Sequence, residues 1–251
     1  MKPLLVLLTA LLWAPLALAT DTPRIAVILD DIGYHRDRSQ RALQLPPAIT
    51  LAVIPRSPHG TEMARRAAAR GHEILIHLPM AASGPMPLDP GGVDTQMSAT
   101  QVARVLRDAF ERVPQARGLN NHMGSAVTRD RAAMERVMQA LATRHVYFID
   151  SRTIGDSVAA ATAARFGIAQ ASRDVFLDNL RDRAAINTQF NQLLAIARQR
   201  GHAIGIGHPY PETLEYLESA LPLLREAGVE LVPVSELLPN NWRRAAALRG
   251  R

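Results

Sequence analysis

Apolar and polar positions along the chain switch repeatedly between two rhythms. Short apolar or β-branched runs read as strands at Ile25 to Leu29, Ile49 to Ile54, Glu73 to His77, Gly118 to Asn120, Val146 to Ile149, weakly near Ile168, at Ala203 to Ile206 and at Glu230 to Val232. Between most of them lie segments of helical period: Pro58 to Arg70, Ser98 to Arg112, Arg129 to Arg144, Arg181 to Arg200 and Glu212 to Ala227. Ser98 and Gln101 have the spacing of a capping box, and Gly71, Gly201 and Gly228 each follow a helix, where a left-handed residue is expected. Seven or eight such units in a chain of 251 residues predict an α/β fold, a deformed (β/α) barrel of seven or eight strands rather than an open sheet with a second domain. No internal repeat or low-complexity tract marks a solenoid or an interdomain linker.

Three segments stand outside the alternation. The apolar run Leu4 to Leu18 follows Lys2 and closes with Ala17-Leu18-Ala19, the pattern of a secretory signal cleaved after Ala19. Pro15 interrupts it and it falls short of the ~20 residues of a membrane span, so no stable membrane insertion is expected after cleavage. A periplasmic or secreted location follows. At the other end, residues 240–251 carry Arg243, Arg244, Arg249 and Arg251 and read as a basic tail, which leaves 20–239 as the folded domain. The Pro- and Gly-rich stretch Ala82 to Gly92 is too long for a tight connection and is a candidate binding loop.

Composition narrows the chemistry. An apolar share of 47% is enough to fill a core and excludes disorder as the main state. Basic residues outnumber acidic ones 29 to 23, with Lys2 the only lysine, but the arginines are dispersed. Together with an export signal, this argues against a nucleic-acid partner. Cysteine is absent, so disulfides, thiolate metal sites and cysteine nucleophiles are excluded, and any metal must be held by His, Asp or Glu.

In a (β/α) barrel the carboxyl ends of the strands converge on one face. Here those ends are polar: Asp30-Asp31, His77, Asn120-Asn121-His122, Asp150-Ser151 and His208, with Asp178 closing the ring. One carboxylate and two imidazoles suffice for zinc or a similar divalent ion that keeps positions open, and Asp31, His77 and His122 are the chosen ligands. Asp30 is the candidate base and His208 the candidate acid. Both aspartates can reach one site only if the chain bends after the strand, since neighbours on a strand face opposite ways. Asn121, Asp150, Ser151 and Asp178 are substrate-binding candidates. Asn121 and Ser151 could instead brace loop backbone, and Asp150 could cap the next helix. Tyr34 and Tyr210 lie beside the site. His35, His59, His72, His145 and His202 read as helix-end or surface histidines.

These residues carry a family resemblance. Ile28-Leu29-Asp30-Asp31-Ile32-Gly33, Gly71-His72-Glu73-Ile74 with His77-Leu78-Pro79-Met80, Asn120-Asn121-His122-Met123-Gly124-Ser125, Asp150-Ser151-Arg152-Thr153, Asp174-Val175-Phe176-Leu177-Asp178-Asn179 and Gly207-His208-Pro209 resemble the motifs of the divergent polysaccharide deacetylases, relatives of the NodB-type carbohydrate esterases. The resemblance implies a NodB-like deformed barrel and metal-assisted removal of acetyl groups from a glycan. It also implies Asp30 as base, Asp31 and His77 as ligands, and His208 as acid. The wider pattern's second histidine, four residues after the first, would fall at Ala81, so His122 is expected to replace it. The competing expectation is a non-catalytic exported protein that uses the same polar ring to bind a glycan or peptide.

Overall fold

The first strand of the barrel, β1 (Arg24–Ile32), is buried along almost its whole length. A computed structural model describes residues 22–239, so the expected signal segment and basic tail lie outside the described residues. After β1 come α1 (Arg36–Ala42), β2 (Thr50–Val53), α2 (Gly60–Ala69), β3 (Ile74–Met80), α3 (Ala99–Arg112), β4 (Gly118–Met123), α4 (Arg131–Ala142), β5 (Tyr147–Asp150) and α5 (Ala159–Arg165). The chain continues through β6 (Gln170–Ser172), β7 (Val175–Phe176), α6 (Arg183–Arg200), β8 (His202–Gly207), α7 (Pro211–Ala220) and β9 (Glu230–Leu231).

Every ladder is parallel, in the order β6-β5-β4-β3-β2-β1-β8-β7, and β9 pairs with the start of β1. The sheet curls into an open barrel, with β6 and β7 at its two free ends, as the alternating pattern predicts. Successive side chains on each strand go to opposite faces. Ala26, Ile28, Ala52, Leu75, Ile149, Ile204 and Ile206 pack inside the curl. Ile25, Val27, Leu29, Leu51, Ile74 and Ile76 pack outward against the helices. Burial of each large aliphatic chain contributes roughly 2 kcal/mol. The inward parity, carried two residues further along β1, β3 and β8, delivers Asp30, His77 and His208 to the barrel mouth.

The helices present matching faces. α3 buries Val102, Leu106, Ala109 and Phe110 at helical spacing, and its capping box is formed: Ser98 Oγ accepts from Gln101 N at 3.3 Å and Gln101 Oε1 from Ser98 N at 2.7 Å. Gly71 and Gly201 follow helices and have positive φ, as expected; Gly228 also has positive φ, but in a turn well beyond the end of α7. Among the described residues, no helix is long and apolar enough to cross a membrane.

Some elements depart from the sequence reading. α1 has almost no apolar stripe, α5 is mainly alanine, and β7 has two residues, too few to show a period. The expected helix Glu212 to Ala227 ends at Ala220 and passes into a single tighter turn, Leu221–Leu223, at Pro222. His72 is no surface histidine. It is buried, with Nδ1 at 2.9 Å from Ile49 O and Nε2 at 3.3 Å from Leu43 O, and ties α2 to the loop before β2.

Candidate active site

Asp30 and Asp31 are neighbours in sequence, yet both carboxylates enter the mouth of the barrel. Asp31 has φ 57°, in the left-handed region, and the β1 to β2 register slips by one residue between Leu29 and Ile32. Such a bulge re-aims a side chain at a strand end. The left-handed position is strained for a residue with a Cβ, although Asp tolerates it better than most. Met123 (φ 51°), the last residue of β4, and Arg152 (φ 47°), just past the end of β5, share it. Strain of this kind clusters where function fixes the chain.

Asn120 sets the state of two groups. Its Nδ2 donates to Asp30 Oδ1 at 2.8 Å and to Ser151 Oγ at 3.3 Å, which leaves Oδ1 to accept from His77 Nδ1 at 2.8 Å. The proton of His77 therefore sits on Nδ1, and Nε2 presents a lone pair to the site. His122, one strand over on β4, is governed from the other side. Its Nε2 lies 3.1 Å from Asp89 Oδ2, and a carboxylate only accepts, so the His122 proton belongs on Nε2 and the lone pair on Nδ1.

The two free nitrogens face each other at 3.1 Å. Asp31 Oδ1 stands 3.0 Å from His122 Nδ1 and 3.4 Å from His77 Nε2, and it is buried without a hydrogen-bond partner. With both rings neutral, as ligation of a cation requires, three electron pairs converge with no proton between them. Donors placed ~2.1 Å from a tetrahedral zinc stand about 3.4 Å apart, close to the edges of this triangle. The set fits a small divalent cation, and these three residues form a group able to hold one.

His208 completes the mouth. Asp178 Oδ1 accepts from its Nδ1 at 3.0 Å, and Asp178 Oδ2 accepts from the His208 backbone N at 2.6 Å and from Thr213 Oγ1 at 2.8 Å. This holds Nε2 toward the site, 3.8 Å from Asp31 Oδ2. Phe176 meets the imidazole edge-on, and Tyr210 stacks on it.

The electrostatics separate the two carboxylates. Burial dominates at Asp30 and lifts its carboxyl above the usual range, against the pull of His77 and His208. Burial also opposes ionisation of Asp31, but while no cation is bound, hydrogen bonds and charge from His122 and His77 outweigh it and hold the carboxyl far below the usual range. Burial alone would lower His208, yet the bond to Asp178 and the charges of Asp178, Asp31 and Asp30 push it up to about 9. A raised carboxyl suits a base and a protonated imidazole suits an acid.

The residues expected to bind substrate brace the loops around the mouth. Asp178 is buried behind His208, with both oxygens engaged. Asp150 Oδ1 accepts from Arg152 N at 2.8 Å and its Oδ2 from Ser157 Oγ at 2.7 Å, closing the turn after β5. Asn121 donates to Met123 O at 2.7 Å and accepts from Ser151 N at 2.9 Å, joining the β4 and β5 loops, and Ser151 Oγ supports Asn120. Each is buried. Sequence reasoning assigned no role to Asn120 or Asp89. Asp89 lies in the loop singled out as a binding loop.

Comparison with known proteins agrees with this fold. Residues 27–238 match the family model described as divergent polysaccharide deacetylase. The chain belongs to that family. As a divergent polysaccharide deacetylase it is 42% identical to the uncharacterized protein YibQ of Escherichia coli (strain K12) over 215 residues, 86% of this chain and 67% of the relative. The crystal structure of the uncharacterized protein ATU2773 from Agrobacterium tumefaciens C58 superposes with a TM-score of 0.83 at 26% identity, covering 87% of this chain and 90% of that one. A mutant of BA3943, described as a CE4 family pseudoenzyme with restored enzymatic activity, shares the fold with a TM-score of 0.52 at 16% identity, over 86% of this chain and 68% of its own. In this divergent polysaccharide deacetylase, Ala81 stands where the wider pattern has its second histidine. Its carbonyl accepts from Ala126 N and Val127 N, so the position pins the loop that follows His122 and the end of β4.

Proposed function

We propose that the protein is an exported, metal-dependent hydrolase that removes acetyl groups from a glycan. The observation that carries this reading is the convergence of lone pairs from Asp31, His77 and His122 beside a buried base and a protonated acid. Asp31, His77 and His122 would hold the ion, and zinc suits one carboxylate with two imidazoles. A bound divalent cation would polarise the acyl carbonyl and acidify water to a pKa near ~7. Asp30, oriented by Asn120, takes the proton of the attacking water. His208, held by Asp178, delivers a proton to the departing sugar amine or alcohol through Nε2. Products are acetate and the deacetylated sugar.

Export rests on Lys2, the apolar run Leu4 to Leu18 and Ala17-Leu18-Ala19; a mature chain beginning at Thr20 is its signature. The deciding experiment assays acetate release from acetylated glycans with and without a chelator. Chelator-sensitive release that is lost in His77→Ala, together with its bound metal, is the expected result. Unchanged metal content in His77→Ala refutes the ligand set, and absence of acetate release from metal-loaded protein refutes the hydrolase reading.

A further inference from the structure

We propose that Asp89, on the Pro- and Gly-rich loop, is a positioning residue of the metal centre: it fixes the tautomer of His122 and so ties that loop to the ion. The proposal rests on the metal-dependent reading above and concerns a residue outside its ligand set.

The local sequence explains how a loop of this length holds a carboxylate in place. Asp89-Pro90-Gly91-Gly92 forms a turn in which Gly92 N donates to Asp89 O at 3.1 Å. Proline at the second position and a glycine of φ +79° at the third are what a type II turn requires. A Cβ on Gly91 would also run into the Arg56 side chain, at 2.6 Å from its Cδ. The base of the loop is stitched to β3 by Ala81 N to Val93 O and Val93 N to Pro79 O, both 2.9 Å, and Ser83 N donates to Ser125 Oγ at 2.8 Å.

From this frame Asp89 reaches across the mouth. Its Oδ2 receives the Tyr34 hydroxyl at 2.5 Å and lies 3.1 Å from His122 Nε2. That nitrogen is on the opposite edge of the ring from Nδ1, which faces Asp31 and His77. Asp89 is therefore not placed as a ligand. It supports one, as carboxylates commonly do behind metal-binding histidines, where they fix ring orientation and raise ligand basicity. His77 has a neutral amide, Asn120, in the corresponding place, so the two imidazoles are held by unlike partners. Tyr34, three residues beyond Asp31 in the chain's Gly33-Tyr34 stretch, closes the circuit: Asp31 and Tyr34 come from one strand end, and Asp89 links them to His122 through the loop.

Zinc titration of the chelator-stripped full chain by calorimetry tests this, alongside thermal melting of the zinc-free protein. Asp89→Asn is expected to weaken zinc binding about 10- to 100-fold with little change in zinc-free melting, and Asp89→Glu to restore much of the affinity. Equal zinc affinity in Asp89→Asn and wild type overturns the proposal while leaving the metal-dependent reading intact. A loss in Asp89→Ala as complete as that in His122→Ala also overturns it, since Asp89 would then be a ligand. Failure of the wild-type chain to bind zinc overturns both. Nitrogen-15 shifts of His122 in zinc-loaded wild type give a reading that needs no variant: zinc on Nδ1 with a proton on Nε2 is expected, and zinc on Nε2 overturns the assignment.

Discussion

Asp178 grips His208 at two points, accepting from its backbone N–H at 2.6 Å and from its ring Nδ1 at 3.0 Å. The imidazole would be lowered by burial but is pushed up to about 9 by that bond and by the charges of Asp178, Asp31 and Asp30. A histidine whose folded pKa exceeds its unfolded ~6.5 contributes stability that is full below that lower value and fades as pH climbs through the upper one. Asp178→Asn removes the main attractive partner. The melting gap between zinc-free wild type and this variant should thus be widest below about pH 6.5, where the charge contribution is on the order of 3 kcal/mol, and should narrow on the way past 9. A smaller constant gap should persist, because Thr213 and the His208 backbone also lose an acceptor. A gap that stays flat from pH 6 to 10 would show that the pair is not an ion pair.

Much of this arrangement is legible in the sequence because strand alternation has a fixed period. Asp30, His77 and His208 continue the inward parity of Ile28, Leu75 and Ile206. Asn120 and His122, two apart on β4, share a face for the same reason. What the period cannot carry is the conformation of single residues and the reach of loops. Asp31 joins Asp30 only through a left-handed φ at a bulge, and that follows from the packed ladder rather than from the residue type. Asp89 sits in a loop with no rhythm, although Asp-Pro-Gly-Gly was a readable turn signal that would have marked it as a held position. Asn120 was visible at a strand end, but its task depends on which groups face each end of one amide. Asp150, Asn121 and Asp178 show the same limit: the hydrogen bonds by which polar strand-end residues brace the loops leave no mark in the sequence.

Asn120 is expected to affect binding and chemistry together, since one amide serves both His77 and Asp30. Asn120→Ala frees the tautomer of His77 and should weaken zinc binding about tenfold. It also removes a donor that favours ionised Asp30, a carboxyl already raised by burial, so Asp30 should hold its proton to higher pH. The acid limb of the kcat profile on an acetylated substrate at saturating zinc should move upward. A variant with reduced zinc affinity and an unshifted acid limb would detach Asp30 from the role of base.

At the far end of the barrel another buried carboxylate stands apart from this site. Glu73 Oε1 accepts from Tyr147 Oη at 2.8 Å and from Ser235 N at 3.0 Å. Glu73 precedes β3 and Tyr147 opens β5, so the cluster plugs the amino-terminal mouth of the barrel. His77 lies four residues further along, ~13 Å away at the rise of an extended strand. Burial, with the Glu73 charge and bond added, pushes the Tyr147 hydroxyl well above its usual range, which keeps it a donor throughout the pH range in which the protein would work. Tyr147→Phe leaves Glu73 one donor short in a dry setting, at a cost of about 1–3 kcal/mol for a bond to a charged acceptor. At ~2–4 °C per kcal/mol for a domain of this size, the melting midpoint should fall by several degrees. Zinc affinity and the pH dependence of catalysis should stay at wild-type values, because the ring still fills its place inside the curl. A Tyr147→Phe protein that melts normally would mean that the second donor, Ser235 N, meets the needs of Glu73 alone. One that loses zinc binding would show that the two ends of the barrel are coupled through β3.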